Sequence, residues 1–170
     1  MNLAVVPSEQ EALRLAEACT GEWTVAAREE RIEDEAPPLP YTTADLLEDA
    51  SLRLGWTAEQ TMAAAQSLFE QGLITYPRTD SPRVSPEARQ AARQVIAERY
   101  GADAWGNLSP AEGSEQDAHE AIRPSDPQRA PDGLSIPPQE QALYRLIWGR
   151  FLAAHMRPAK VKVVTVILEK

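Results

Sequence analysis

A tyrosine and an arginine two residues apart could together cleave a phosphodiester. Tyr76 and Arg78 lie in the segment GLITYPRTDS, residues 72–81, at the end of a short apolar run. A tyrosine hydroxyl is a nucleophile, and an arginine is a permanent cation that can stabilise the charge of a phosphoryl transition state. If the backbone is extended here, both side chains leave it on the same face. The pair therefore predicts transesterification at a phosphate.

A second polar cluster follows in the segment AHEAIRPSD, residues 118–126. It contains His119, which is one of only 2 histidines in the chain. A lone histidine is more often structural or exposed than catalytic, so the residue type alone assigns His119 no role. Arg123 precedes a proline, which favours an extended backbone and predicts that the arginine side chain points outward.

Composition limits the kinds of site that this chain can hold. Its 170 residues suit one domain or two small ones, and the single Cys19 excludes an internal disulfide and a zinc site built on paired cysteines. Asp80, Glu120 and Asp126 are scattered carboxylates, so we expect no metal site. No apolar run approaches the roughly 18 residues of a membrane span, and a reducing, cytoplasmic location is expected.

The net charge of -9 argues at first against a nucleic-acid partner. Its distribution changes that conclusion, because residues 1–60 hold 13 acidic and 4 basic side chains, whereas residues 61–170 hold 13 of each. The acidic excess therefore lies outside the two polar segments, and a nucleic-acid partner remains compatible with the sequence.

Strand patterns occur at both ends of the chain and helix patterns lie between them. Residues 3–6 and a stretch from Trp23 onward are predicted strands, separated by a helix with Ser8 as its N-cap. A β-branched run at 161–167 is predicted to pair with the early strands. We therefore predict an α+β, mainly α fold in which a helical body, residues 37–157, is inserted into a β-rich region formed by residues 1–36 and 158–170.

Cap residues predict four helices in the middle of the chain. The first begins after Thr42 or Thr43, and the second begins after Thr57 with a capping box. A helix, a short turn and a second helix fit a helix-turn-helix, although an ordinary helical hairpin has the same pattern. A short strand at 73–76 follows, and two further helices begin at Ser85 and near Pro138.

Both polar segments resemble signatures of the type IA DNA topoisomerases. Residues 72–81 resemble the active-site tyrosine motif, and residues 118–125 resemble a second signature of that family. Two further segments, at 41–43 and 143–148, also resemble family segments and occur in the family's order. The resemblance covers essentially the whole chain.

The resemblance implies a catalytic role for each of three residues. Tyr76 would attack a phosphate of single-stranded DNA and form a 5′-phosphotyrosine, Arg78 would stabilise the transition state, and His119 would position or protonate the scissile phosphate. Strand passage and religation would then relax negative supercoils. The fold implied is a catabolite-activator-like domain carried by a β-rich arch. Five residues would support the site or bind phosphate: Thr79, Asp80, Ser81, Glu120 and Arg123.

The family also uses parts that have no counterpart in this sequence. Its Toprim domain binds Mg²⁺ and supplies carboxylates and a lysine, whereas the only lysines here are Lys160, Lys162 and Lys170. We therefore expect a monomeric fragment whose partners are single-stranded DNA and the missing domains, and which is inactive alone and binds no cofactor itself.

Two alternatives remain open from the sequence. The chain could belong to the topoisomerase half of a reverse gyrase, which shares both motifs. It could instead be a non-catalytic DNA-binding module built on the helix-turn-helix, which would prefer duplex DNA and would not depend on Tyr76.

Overall fold

A computed structural model describes residues 8–106 and 119–169, and these residues form two compact units. One unit contains the described residues up to Glu33 together with those from Lys160. The other unit is Asp34–Ala159. The predicted strand at 3–6 and most of the predicted loop at 102–117 lie outside the described residues.

The first unit consists of a helix and a two-stranded sheet. Helix α1, Glu9–Ala18, has the predicted N-cap Ser8, and strand β1, Thr24–Glu35, pairs with β2, Ala159–Glu169. The pairing of the last strand with an early one is thus confirmed. The Thr24 hydroxyl donates a hydrogen bond to the Glu169 carbonyl, so the start of β1 lies opposite the end of β2.

Strand β1 is more exposed than its sequence pattern predicts. Trp23, Val25 and Ala27 alternate with polar residues as in a half-buried strand, but Trp23 is 41% exposed and Val25 is 61% exposed. Helix α1 of the same unit has no buried residue, and Ala27 is the one residue of β1 that is partly buried, so among the described residues α1 does not bury the sheet. The charged run at 29–35 continues as strand rather than becoming a linker.

Four helices build the second unit: α2 (Thr43–Leu54), α3 (Ala58–Glu70), α4 (Pro86–Tyr100) and α5 (Pro138–Ala153). Capping boxes start α2 at Thr42 and α3 at Thr57, and Gly55 ends α2 in the left-handed conformation with φ 69°. Ser85 caps α4 as predicted. Two short 3₁₀ turns, Ala102–Ala104 and Pro131–Gly133, lie between α4 and α5.

Helix α5 lies at the centre of the hydrophobic core. It contacts α2, α3 and α4, and the sequence pattern underestimates its buried surface. The apolar spacing of this segment predicts burial of Leu146, which is only partly buried, and does not include three side chains that are buried: Tyr144, Trp148 and Leu152. The structure thus contains an α+β fold with a small sheet, as expected. Among the residues described, none of the helices combines the length and apolar character needed to cross a bilayer.

The predicted strand at 73–76 does not form a regular strand. A single antiparallel bridge joins Ile74 to Pro124. Proline has no backbone N–H, and Pro124 and Pro77 therefore remove two of the donors that a longer ladder would need. The prediction of a strand was wrong, but the chain is still held beside its partner segment at this point.

Candidate active site

The segment of residues 76–81, which we call the Tyr76 strip, presents alternate side chains to solvent and to the core. Exposed and buried positions alternate strictly: Tyr76, Arg78 and Asp80 are exposed, while Pro77, Thr79 and Ser81 are buried. The chain bends at Pro77, and the side chains of Tyr76 and Arg78 on either side of it are both open to solvent.

The first turn of α2 holds the Tyr76 strip in place through Thr43. The Thr43 backbone N–H donates to the Thr79 carbonyl at 2.8 Å, and the Thr79 N–H donates to the Thr43 hydroxyl at 2.8 Å. The same hydroxyl lies 2.9 Å from the Pro77 carbonyl and 3.0 Å from the Thr79 carbonyl, so its one proton can be donated to either. These bonds fix the backbone on both sides of Arg78.

The two polar segments run side by side because Thr75 bonds across to residues 121–123. The Thr75 N–H donates to the Arg123 carbonyl at 3.0 Å, and the Arg123 N–H donates to the Thr75 hydroxyl at 3.0 Å. That hydroxyl in turn donates to the Ala121 carbonyl at 2.7 Å. One residue before Tyr76, the chain is thus fixed to the segment that carries His119.

The Tyr76 ring lies between two other rings. Its centroid is 5.5 Å from the His119 ring at an interplanar angle of 38°, and 5.5 Å from the Phe69 ring at 71°. Tyr76 and Phe69 are each 37% exposed, and His119 is exposed as well. The structure therefore brings His119 against Tyr76, and both side chains are exposed to solvent.

The two arginines of the site differ in their partners. Arg78 is exposed and has no hydrogen-bond or ion-pair partner within residues 8–106 and 119–169. Arg123 is not presented outward as predicted: its side chain is 13% exposed, because its guanidinium pairs with the Glu120 carboxylate at 2.5 Å and donates to the Pro124 carbonyl at 3.0 Å. Arg78 thus offers an uncompensated positive charge, whereas the charge of Arg123 is balanced.

The remaining predicted residues hold the backbone of the site. The Thr79 hydroxyl accepts from the Ser81 N–H at 3.1 Å, and the Ser81 hydroxyl accepts from the Arg83 N–H at 3.3 Å. Asp80 is exposed on the same face as Arg78. The Asp126 carboxylate accepts from the Gln128 N–H at 2.9 Å, which is a local turn interaction.

Comparison with known proteins identifies the family. The model of the DNA topoisomerase family matches residues 4–170. The chain belongs to this family. The family prediction from residues 72–81 and 118–125 is thus confirmed, and the relatives named below are type I topoisomerases, which are isomerases.

Two relatives and one solved structure show how this member compares with others. The chain is 39% identical over 175 residues to the DNA topoisomerase 1 of Synechocystis sp., covering 97% of this chain and 19% of the relative. It is 38% identical over 141 residues to the prokaryotic-type DNA topoisomerase 1 of Acanthamoeba polyphaga mimivirus, covering 81% and 16%. Full-length topoisomerase I from Thermotoga maritima superposes with a TM-score of 0.70 at 33% identity, covering 92% of this chain and 27% of that one. The chain therefore spans about a sixth to a quarter of the length of these topoisomerases.

Two residues that position the site of this topoisomerase-family chain were missed in the sequence. Thr43 looks like a spare cap residue beside Thr42, and Phe69 fits the buried stripe of α3. The available signal for Thr43 was the presence of two adjacent threonines where a helix needs only one cap. No comparable signal distinguishes Phe69, because its place against Tyr76 depends on how α3 packs.

The four tyrosines of the chain are not equivalent as nucleophiles. Burial and a hydrogen bond to Asp49 raise the pKa of Tyr41, and burial raises the pKa of Tyr144 to about 12. Both are therefore held in the protonated form. Tyr76 and Tyr100 are exposed, and only Tyr76 lies against a histidine ring among the described aromatic contacts.

Proposed function

We propose that this chain carries the nucleophile of a type IA DNA topoisomerase, with Tyr76 attacking a phosphodiester of single-stranded DNA. The observation that carries the proposal is the arrangement at the Tyr76 strip. An exposed tyrosine lies against an exposed histidine, and an exposed arginine without a partner among the described residues follows two residues later. Transesterification at a phosphodiester needs a nucleophile, a proton carrier and a cation together.

The proposed step balances without any redox partner. The Tyr76 oxygen forms a bond to phosphorus and loses its proton, while the bond from phosphorus to the 3′ oxygen breaks and that oxygen takes up a proton. The products are a 5′-phosphotyrosine and a free 3′-hydroxyl, and religation is the reverse reaction. Arg78 stabilises the charge on the non-bridging oxygens, and His119 positions the phosphate or gives it a proton.

The supporting residues act through these three. Thr79 and Ser81 fix the backbone of the strip through their hydroxyls, and the Glu120 carboxylate holds the Arg123 guanidinium beside the segment of His119. Asp80 shares the exposed face with Arg78. Loss of any of these residues should reduce the rate by displacing the catalytic side chains rather than by removing a reacting group.

Magnesium, which the family resemblance implies, does not fit the residues described here. Residues 8–106 and 119–169 contain no group of three or more histidine, cysteine or acidic side chains able to hold a metal ion. Glu120 is already paired with Arg123. We therefore place Mg²⁺ in a Toprim domain supplied by the rest of the enzyme, and we route no step of this chain through a metal.

The proposed domain roles follow the same resemblance. Residues 37–157 would form the catabolite-activator-like tyrosine domain, with α2 and α3 as its helix-turn-helix, and residues 1–36 and 158–170 would belong to the arch. Domains outside this chain would complete strand passage and the relaxation of negative supercoils. On this proposal the chain alone relaxes no DNA and works as one part of a monomeric enzyme, and a reverse gyrase parent would carry the same site.

A non-catalytic duplex-binding module is not favoured. Helix α3 would be its recognition helix, but α3 contains two glutamates and no lysine or arginine. Duplex readers draw much of their affinity from basic side chains near phosphates. The features that do suit a phosphate lie on the Tyr76 strip instead.

A chimaeric enzyme tests the proposal. In it, this chain replaces the aligned segment of the Synechocystis DNA topoisomerase 1, and intact-mass analysis follows incubation with a single-stranded oligonucleotide and Mg²⁺. We expect an adduct of the cleaved oligonucleotide on the chimaera and supercoil relaxation by it, and neither from the 170-residue chain alone. The Y76F variant should give no adduct.

Tyr100→Phe is the matched control, because Tyr100 is also an exposed tyrosine. This variant should form the adduct as the unsubstituted chimaera does. An adduct that persists in Y76F would overturn the assignment of the nucleophile. Robust relaxation by the 170-residue chain alone would overturn the need for a second half of the site.

A further inference from the structure

An arginine-rich surface lies on the exposed side of α5 and shares no residue with the Tyr76 strip. We call it the α5 track. Two neighbouring grooves form it, and together they are lined by five arginines and two aspartates: Arg53, Arg99, Arg129, Arg145, Arg150, Asp49 and Asp132. A local positive excess of this size is unexpected in a chain whose net charge is -9.

The first groove, of about 310 Å³, has one carboxylate among three arginines. Asp49 Oδ1 lies 3.5 Å from Arg53 Nε, and Asp49 Oδ2 lies 3.5 Å from Arg150 Nη1. Asp49 Oδ2 also accepts a hydrogen bond from the Tyr41 hydroxyl at 2.5 Å. A single carboxylate is thus shared by two guanidinium groups, and Arg145 adds a third positive charge.

The side chain of Arg150 is fixed in this groove by contacts with its neighbours. Its Nε donates to the Leu39 carbonyl at 2.6 Å, and its guanidinium carbon lies 4.8 Å from the centroid of the Tyr41 ring. Its side chain is 23% exposed, so part of the guanidinium still faces solvent. Because the side chain is already ordered, binding an anion costs it little conformational entropy.

The second groove, of about 620 Å³, is lined by Arg99 and Arg129 and is bridged to the first by Arg145. The Arg99 guanidinium lies 5.4 Å over the Trp148 ring. Arg145 pairs with Asp132 at 2.6 Å and lowers the pKa of that carboxyl, so the one acidic group of this groove is already engaged. The ion pair of Arg145 and Asp132 therefore joins the lining of one groove to that of the other.

We propose that the α5 track binds the phosphodiester backbone of a DNA segment other than the one at Tyr76. Guanidinium groups bind phosphate oxygens bidentately, and Arg145 and Arg150 are about 7.5 Å apart along the helix axis, which lets them reach different phosphates. The choice of DNA as the source of the phosphates rests on the proposed function, whereas the positive surface itself does not.

Gly149 provides a test that removes no existing contact. It lies in the first groove, and a Cβ built on it meets no atom within 4 Å. Gly149→Glu therefore adds a carboxylate among the arginines, and Gly149→Ala is the matched control that adds only a methyl group. Gly133, in the second groove, is equally open and gives a second pair, G133E and G133A.

The measurement is the affinity of the 170-residue chain for a fluorescent oligonucleotide, single-stranded or duplex, by anisotropy at low salt. We expect G149A to bind like the unsubstituted chain and G149E to bind about fivefold more weakly, with a shallower dependence on salt. G133E should likewise bind the oligonucleotide more weakly than G133A does. Circular dichroism of each pair checks that both members are folded.

Equal affinities for both glutamate variants and their alanine controls would overturn the proposal. Binding of poly-glutamate as tightly as DNA would overturn the phosphodiester assignment. These outcomes are separate from the test of Tyr76, which reads a covalent adduct. If the chimaera forms the adduct while G149E and G133E bind normally, the track is refuted and the nucleophile stands. If G149E and G133E bind more weakly while the chimaera forms no adduct on Tyr76, the α5 track stands and the assignment of Tyr76 as nucleophile is refuted.

Discussion

The two histidines of the chain both lie against aromatic rings, but in opposite environments. His119 is exposed, and its ring centroid is 5.5 Å from that of Tyr76. His155 is 1% exposed and lies between Trp105, at 5.8 Å and 21°, and Phe151, at 4.9 Å and 64°. Similar neighbours therefore surround one histidine that meets solvent and one that does not.

The two histidines differ in solvent access rather than in aromatic contact, and on the proposed function the exposed one takes part in the reaction. The His155 Nδ1 lies 2.7 Å from the Phe151 carbonyl, which can accept a hydrogen bond from an N–H at that position. Burial lowers the pKa of this imidazole. A position near the end of α5 would favour a charged histidine through the helix dipole. Here burial outweighs that effect, so His155 is a neutral packing residue.

Of the two histidines, His119 should produce the larger change in activity when it is replaced. In the chimaeric enzyme, His119→Ala should slow adduct formation by about 10²-fold or more, since a positioned proton carrier typically contributes that much. The free energy of unfolding should stay the same, because the exposed ring buries little surface. Single-turnover adduct formation and urea unfolding measure the two quantities. An unchanged rate would remove His119 from the mechanism.

Replacing His155 should have the opposite pattern. His155→Ala should lower the free energy of unfolding by about 3 kcal/mol, as expected for truncating a buried aromatic side chain. The rate of adduct formation per folded molecule should be unchanged. A variant that is as stable as the unsubstituted chain, or one that is stable but slow, would contradict the division between the two histidines.

The pH dependence of stability sharpens this second prediction. Because burial holds the folded-state pKa of His155 below the ordinary histidine value of 6.5, the unfolded chain binds the proton more readily. Stability is therefore complete above the unfolded pKa and is lost as the pH falls toward the folded pKa. The stability gap between the unsubstituted chain and H155A should narrow from about pH 8 to about pH 5. A stability gap that stays constant over this pH range would mean that burial does not lower the pKa of His155.

The sequence predicts the helix starts well because the signals are local. Thr57 and Ser85 each accept a hydrogen bond from the N–H three residues later, and the residues involved are adjacent in the chain. Neighbouring residues alone determine such caps. The same holds for Gly55, where the left-handed conformation that ends α2 favours glycine.

Features that depend on distant residues were predicted less well. The segment at 73–76 reads as a strand, yet its partner residue is Pro124, and that pairing cannot be seen from the local sequence. Arg123 was expected to point outward because of the proline after it, but Glu120 captures its guanidinium. Tyr76 and His119 could be named from their motifs. Their contact depends on the cross-segment bonds of Thr75, which only the fold reveals.

Phe69 offers the smallest and most specific test of the aromatic contacts around Tyr76. Its ring meets that of Tyr76 edge to face at 5.5 Å, and such a pair contributes about 0.5–1.5 kcal/mol beyond the area that it buries. Phe69→Ala should therefore slow adduct formation in the chimaera by about threefold to tenfold, while the affinity for a single-stranded oligonucleotide stays unchanged, since Phe69 orients Tyr76 and makes no reaction of its own. Phe69→Tyr, which keeps the ring, should restore most of the rate. If F69A lowers affinity and rate together, Phe69 contacts DNA directly. The aromatic ring beside Tyr76 would then differ from the rings beside His155 in binding DNA as well as in solvent exposure.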